Sequence, residues 1–174
     1  MLWRTVVLLI LVAIAAWTDL RERKLYNWNT YTGMLIGLVI HLLPGSPLSV
    51  GDVLLGWLAC GGLMLVAFTF LPMGGGDVKL MGMMGMGMGL EDGLMALLWS
   101  VTFAAILAAA HVIWQLGAWN LLRGGFRKAT YIVGAQGPVP WTDEQQQVLN
   151  QKFRLGPAAL LGVLVTRADL LWEL

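Results

Sequence analysis

Six apolar runs, divided by short clusters of charged and turn-forming residues, make up most of the chain. They extend over Leu2–Thr18, Trp28–Leu43, Val50–Leu71, Val78–Leu90, Leu94–Leu122 and Leu155–Trp172. A helix needs about 20 mainly apolar residues to cross a bilayer, and five of the runs approach or exceed that length. The fourth is shorter and built almost wholly of Met and Gly. Pro44, Gly45 and Pro47 mark a turn between the second and third runs, and Glu91, Asp92 and Gly93 separate the fourth from the fifth. Arg123 to Arg154 is the one long polar stretch; with Gly124, Gly125, Pro138 and Pro140 it reads as a loop over residues 123–154. The pattern predicts an all-α, polytopic membrane protein of about six transmembrane helices, with residues 1–174 forming a single membrane-embedded domain.

Composition agrees with the pattern. Of 174 residues, 58% are hydrophobic and only 12% charged, far from the roughly 25% charged residues of soluble domains. The single cysteine, Cys60, lies inside an apolar run, so neither a disulfide framework nor a Cys-x-x-Cys metal site is available. Charge placement orients the crossings, because Lys and Arg gather in cytoplasmic loops. With the amino terminus outside, nine of the eleven basic residues (Arg21, Arg23, Lys24, Lys79, Arg123, Arg127, Lys128, Lys152 and Arg154) fall on one side. Arg4 and Arg167 fall toward the other, together with Asp52, Glu91, Asp92 and Glu173. A cleaved signal peptide is not expected at the first run, since its basic residues follow the apolar stretch rather than precede it. The basic groups flank membrane segments, where anionic lipid explains them, and nothing points to nucleic acid.

Two aspartates stand where apolar runs meet polar sequence: Asp19, and Asp77 at the end of Gly74-Gly75-Gly76-Asp77. Carboxylates beside membrane segments are costly and mark functional sites by default. The topology places both on the cytoplasmic side. Two carboxylates brought together do not readily both ionise, so one holds a proton while the other is charged. The ionised member can draw a proton from water as it attacks a peptide carbonyl, while the protonated member donates to the carbonyl oxygen. This chemistry needs no metal, cofactor or nucleophilic side chain. Glycines before Asp77 would permit close backbone approach and local unwinding. A structural reading stands beside the catalytic one: Asp77 as the amino-terminal cap of the fourth helix, and Asp19 as an interfacial residue paired with Arg21 or Arg23.

The string Asp19-Leu20-Arg21-Glu22-Arg23-Lys24-Leu25-Tyr26-Asn27 resembles the Asp-x-Arg-x-x-x-Ile-Pro-Asn signature of prepilin peptidases. GGGDVKL, Gly74 to Leu80, resembles their GxGD-x-Lys-Leu signature, and Arg154-Leu155-Gly156-Pro157-Ala158 resembles a third string at the start of the last helix. Order, spacing and topology agree over nearly the whole chain. In particular it is similar to the short TadV/CpaA-type enzymes of tight-adherence (Flp) pilus systems. Leu25 and Tyr26 replace the usual Ile and Pro, and Ala159 stands where related GxGD proteases often have Leu. The resemblance implies a GxGD aspartyl protease bundle in the bacterial inner membrane, with Asp19 and Asp77 catalytic. It also implies that the leader of a prepilin or pseudopilin is cut at the cytoplasmic face, with other pilus assembly components as possible partners. Gly74, Gly75, Gly76, Lys79, Arg21, Asn27, Gly156 and Pro157 are the supporting residues. The four-cysteine zinc domain of the longer bifunctional enzymes is missing, so methylation of the new amino terminus is not expected.

Rival readings follow from other features. Met81, Met83, Met84, Met86 and Met88 form a thioether cluster of the kind that suits Cu(I), so a copper transporter or copper-binding membrane protein is the alternative. The methionines spread around the helix, however, and Met also serves as adaptable packing. Gly85 and Gly89 form a GxxxG pair suited to close helix contact. A GxGD protease acting on other membrane helices is a third possibility. His41 and His111 lack a partner motif and are expected to pack, and Trp3, Trp17, Trp28 and Trp172 are expected to anchor at interfaces.

Overall fold

The computed structural model describes residues 2–70, 73–116 and 155–168. Their helices are α1 (Leu2–Glu22), α2 (Asn27–Leu42), α3 (Val50–Phe70), α4 (Gly75–Met88), α5 (Leu90–Leu116) and α6 (Gly156–Thr166). No strand occurs among the described residues. The chain divides into two compact units, Met1–Ala104 with Phe153–Leu174, and Ala105–Lys152. Apart from the end of α5 from Ala105 on, everything described below belongs to the first. The expected loop over 123–154 and the ends of the fifth and sixth runs lie outside the described residues.

Among the described residues, three helices are long and apolar enough to cross a membrane: Trp3–Glu22, Val50–Phe70 and Leu90–His111. The others are shorter, with 16 residues in α2, 14 in α4 and 11 in α6. The molecule is an all-helical membrane protein. Its exposed side chains fit a lipid setting, since Leu35, Leu58, Val66, Leu98 and many other large apolar groups face outward while the core is small.

The short helix α4 is the centre of the bundle. Every residue from Leu80 to Met86 is buried, as is Met88, and the helix packs on α1, α2, α3 and α6. Without water to drive them together, helices in lipid associate through close packing of small residues. A Cβ at Gly85 would lie 2.2 Å from the Gly56 carbonyl oxygen of α3, and one at Gly56 would lie 2.4 Å from that of Gly85. The GxxxG pair thus makes the contact expected of it. The methionines fill the remaining directions; Met83, for example, occupies the space that a side chain at Gly33 of α2 would need. All five expected copper ligands are core side chains, each at most 7% exposed.

Several boundaries differ from those read in the sequence. The first helix runs on to Glu22, so Asp19 lies inside its last turn rather than beyond its end. Arg23 closes it with a positive φ of 54°, its N–H donating to the Asp19 carbonyl at 3.1 Å. The break between α4 and α5 falls at Gly89 alone, with φ 82°. Glu91 and Asp92 do not separate the helices but occupy the first turn of α5, where a helix amino terminus favours negative charge. Asp92 there accepts an ion pair from Arg167 just past α6, at 2.8 Å.

Candidate active site

Asp19 on the last turn of α1 and Asp77 on the first turn of α4 are both buried, at 7% and 6% exposure. The two helices run antiparallel: Leu8 of α1 packs on Gly87 of α4, and Leu25, just past α1, packs on Gly76. Eleven residues along α1 from Leu8 lead to Asp19, and ten back along α4 from Gly87 lead to Asp77. At 1.5 Å per residue these are about 16 Å and about 15 Å. The two carboxyl groups therefore stand at one level of the bundle.

Each is held by backbone N–H. Asp77 Oδ2 accepts from Gly74 at 2.9 Å, and the Asp77 N–H donates to the Gly74 carbonyl at 3.0 Å. Gly74 is the N-cap, and since glycine has no side chain only the half of a capping box that Asp77 supplies is present. The aspartate is thus the third residue of α4 rather than its cap. Asp19 Oδ2 accepts from the Gly156 N–H at 2.9 Å, across 137 residues of sequence. Both carboxylates face helix amino termini, whose unpaired N–H groups favour negative charge.

Two of the glycines on these strings, Gly76 and Gly156, serve close contact. Gly75 and Gly76 already belong to α4, and a Cβ on Gly76 would lie 2.8 Å from that of Leu25. Gly156 lies against α1, where a Cβ would lie 2.9 Å from Asp19 Oδ2 and 3.0 Å from the Ala16 Cα. Pro157 follows in the first turn of α6, where its missing N–H costs nothing.

The other predicted residues separate. Lys79 Nζ donates to Asn27 Oδ1 at 2.8 Å and lies 5.0 Å from the Tyr31 ring centroid. Lys79 and Asn27 thus bind each other, joining α4 to the start of α2. Arg21 is exposed on the last turn of α1, a favourable place for a cation. Of the two histidines, His41 is buried and His111 exposed. Sequence reasoning did not foresee the cation–π contact on Tyr31 or the bond from the Tyr26 hydroxyl to Glu22. The second carried a signal, because residues four apart meet on adjacent turns.

Tyr26 is the N-cap of α2, and its carbonyl accepts from Asn29 at 3.1 Å and Thr30 at 3.3 Å. Its φ of −75° is one that proline adopts. The hydrogen bond to Glu22, and the charge of that carboxylate, raise the Tyr26 phenol above its ordinary 10.0. A raised folded value means that the contact is complete below pH ~10 and is lost as pH climbs through the raised pKa. Ultraviolet difference titration of wild type against Tyr26→Phe is expected to show a late-ionising phenolate. Glu22→Gln should return it to the ordinary range.

The sequence profile described as the type IV leader peptidase family matches residues 6–109, a span that contains both aspartates. The chain belongs to the type IV leader peptidase family. Searches of curated proteins and of solved structures gave no match. Type IV leader peptidases remove leaders from prepilins, so the buried aspartates sit in a membrane protease. For this peptidase the Gly156 contact is testable. Gly156→Ala must push α6 or Asp19 aside, and for a group that takes part in a reaction a shift of about 1 Å can cost about 10²-fold. Leader cleavage in vitro is expected to fall by about that factor with the helical content unchanged.

Proposed function

We propose that the chain is an aspartyl endopeptidase in which Asp19 and Asp77 together cleave the leader of a Flp-type prepilin or pseudopilin. The observation that carries this reading is two buried carboxyl groups at one level, each held by backbone N–H at a helix amino terminus. In this reading the two carboxylates share one proton, as carboxylates brought together do. The ionised one takes a proton from water as the oxygen attacks the scissile carbonyl, and the protonated one donates to the carbonyl oxygen. In the second half the roles reverse: the charged aspartate recovers the hydroxyl proton while the other protonates the leaving amine. The peptide bond opens and the pair returns to its starting state.

A helical substrate hides its carbonyls in hydrogen bonds, so the cut must fall in an extended or unwound stretch. The glycine string Gly74 to Gly76 adds no side chain of its own to the approach to Asp77. Lys79, Asn27 and Arg21 are supporting residues in this reading, the first two by fixing the start of α2 against α4. Charge supports a cytoplasmic site: nine of eleven basic residues belong to the aspartate side of the topology. The Asp19 string supports the Flp-type substrate, and the bacterial inner membrane is the corresponding location.

Co-expression with candidate prepilins, scored by amino-terminal sequencing of the pilin, tests this. Cleavage between a short basic leader and the apolar helix of a Flp-type pilin is expected, whereas processing only of unrelated membrane helices would overturn the substrate assignment. No observation favours the copper reading, since the methionines are packed inside the bundle.

A further inference from the structure

The helix α6 brings the Gly156 N–H to Asp19, and the bilayer does not set its depth. Its 11 residues rise about 16 Å, roughly half of the ~30 Å hydrocarbon layer. It has no acidic residue in its first turn and no basic residue in its last, so no charge within the helix marks a level for it. Contacts with its neighbours must fix its height along α1, against which it mainly packs.

Two of these contacts lie on α5, which runs antiparallel to α6. At mid-helix the backbones meet: a Cβ at Gly162 would lie 2.6 Å from the Ala96 carbonyl oxygen and 2.9 Å from the Ser100 nitrogen. Close packing of small residues draws helices together, but the contact with direction is at the end. Arg167, the C-cap of α6, donates from Nη2 to Asp92 Oδ2 in the first turn of α5 at 2.8 Å. Each ion thus sits at the helix end that favours its charge. The Arg167 side chain is 20% exposed, and its Nε is buried with no hydrogen-bond partner among the described residues, so the guanidinium depends on Asp92. Removing one member of a sheltered pair leaves the other charge unpaired, and α6 must then shift for Arg167 to reach another acceptor or water.

The start of α5 is fixed in turn to the helix of Asp77. A Cβ at Gly93, next to Asp92, would lie 3.0 Å from the Gly85 Cα of α4. From Asp77 to the break at Gly89 the chain rises about 18 Å, and from Gly156 to Arg167 about 16 Å. α4 and α6 therefore run parallel, are tied through α5 at their far ends, and present Asp77 and the donor to Asp19 at one level. We propose that Asp92 and Arg167 are positioning residues of the protease: their ion pair sets the level of α6 and so holds the Gly156 N–H on Asp19. The inference rests on the proposed role of Asp19. Both side chains lie at the far end of α6 from that aspartate and act through the helix.

Asp92→Asn and Arg167→Gln in the full chain, compared with Arg167→Lys, test the proposal through two readouts. One is hydrogen exchange at the Gly156 amide, followed by NMR of glycine-labelled protein in detergent; the other is the kcat and KM of leader cleavage. Both neutral variants are expected to speed Gly156 exchange at least about tenfold while Gly85, in the α3–α4 contact, exchanges as in wild type. They should lower kcat by about tenfold with KM nearly unchanged. Arg167→Lys keeps the charge and should stay close to wild type. On a Gly156→Ala background, where the contact is already displaced, neither should lower kcat by more than about a further twofold. The double variant Asp92→Asn with Arg167→Gln leaves no unpaired charge, and it carries the same measurements if a single variant does not fold. Gly156 exchange at the wild-type rate overturns the proposal whatever the activity. So do an equal rise at Gly85, losses that multiply with that of Gly156→Ala, or faster Gly156 exchange with undiminished cleavage. A fully active Asp19→Asn would instead remove the reading beneath the proposal, and amide exchange, which needs no activity, keeps the two failures apart.

Discussion

Asp19→Asn and Asp77→Asn are each expected to lower leader cleavage by at least about 10³-fold, within the range that a positioned acid or base contributes to a proton-transfer reaction. Asn keeps the shape of the side chain and can still accept from Gly156 or Gly74 through its oxygen, so the hydrogen bonds that seat each group survive. What is lost is the proton cycle. An amide neither takes a proton from water nor carries one to the carbonyl, and the remaining carboxyl group alone lacks its complement. The double variant should be no worse than either single one, because residues that act as a unit show strongly non-additive losses. The measurement is the rate of leader release from a purified prepilin, with each variant first shown to remain in the membrane fraction. Full activity in either single variant would remove the dyad, whereas loss in both with independent, multiplying effects would point to two separate roles.

The largest expected effect on stability is at Gly85. Gly85→Val must place a branched side chain where the nearest atom is the Gly56 carbonyl oxygen at 2.2 Å, with the Gly56 carbon at 2.6 Å and the Cys60 Cβ at 3.0 Å. Two of these obstacles are backbone, so rotation of a side chain gives no relief. The helices α3 and α4 must separate, and α4 loses the neighbour against which it packs most extensively. Overpacking a tight core costs about 1–3 kcal/mol and occasionally more; a backbone collision belongs at the upper end, about 3 kcal/mol. The expected result is a variant that unfolds at lower temperature in detergent and yields little monodisperse protein. Gly62→Val is the control, since a Cβ there meets nothing within 4 Å.

The family was legible in the sequence because its signature strings centre on residue types that membranes rarely tolerate. Asp19 and Asp77 stand out against apolar surroundings, and their flanking strings identify the family. Among the described residues each helix falls on one of the apolar runs, because hydropathy marks where a segment can enter lipid. Boundaries were less legible. Hydropathy drops at Thr18 although the helix continues to Glu22, because a helix can carry Asp19, Arg21 and Glu22 once its end reaches the interface. Met and Gly alternate in α4 without a one-sided periodicity, and a helix buried on all sides has no polar face to produce one. Contacts between distant segments were not legible. Nothing in the string around Asn27 announces that Lys79 is its partner, and nothing in GGGDVKL tells that Gly76 is small because Leu25 lies against it.

The brevity of α4 has a consequence for where water and substrate meet. Fourteen residues rise about 21 Å, well short of the roughly 30 Å hydrocarbon layer, while protein rather than lipid surrounds the helix along its length. The depth of Asp77 is thereby fixed by glycine contacts with α1, α2 and α3 and not by the thickness of the bilayer. Lipids that thicken or thin the membrane act on the outer helices first, and the level of Asp77 travels with the protein as a ruler travels with its own scale.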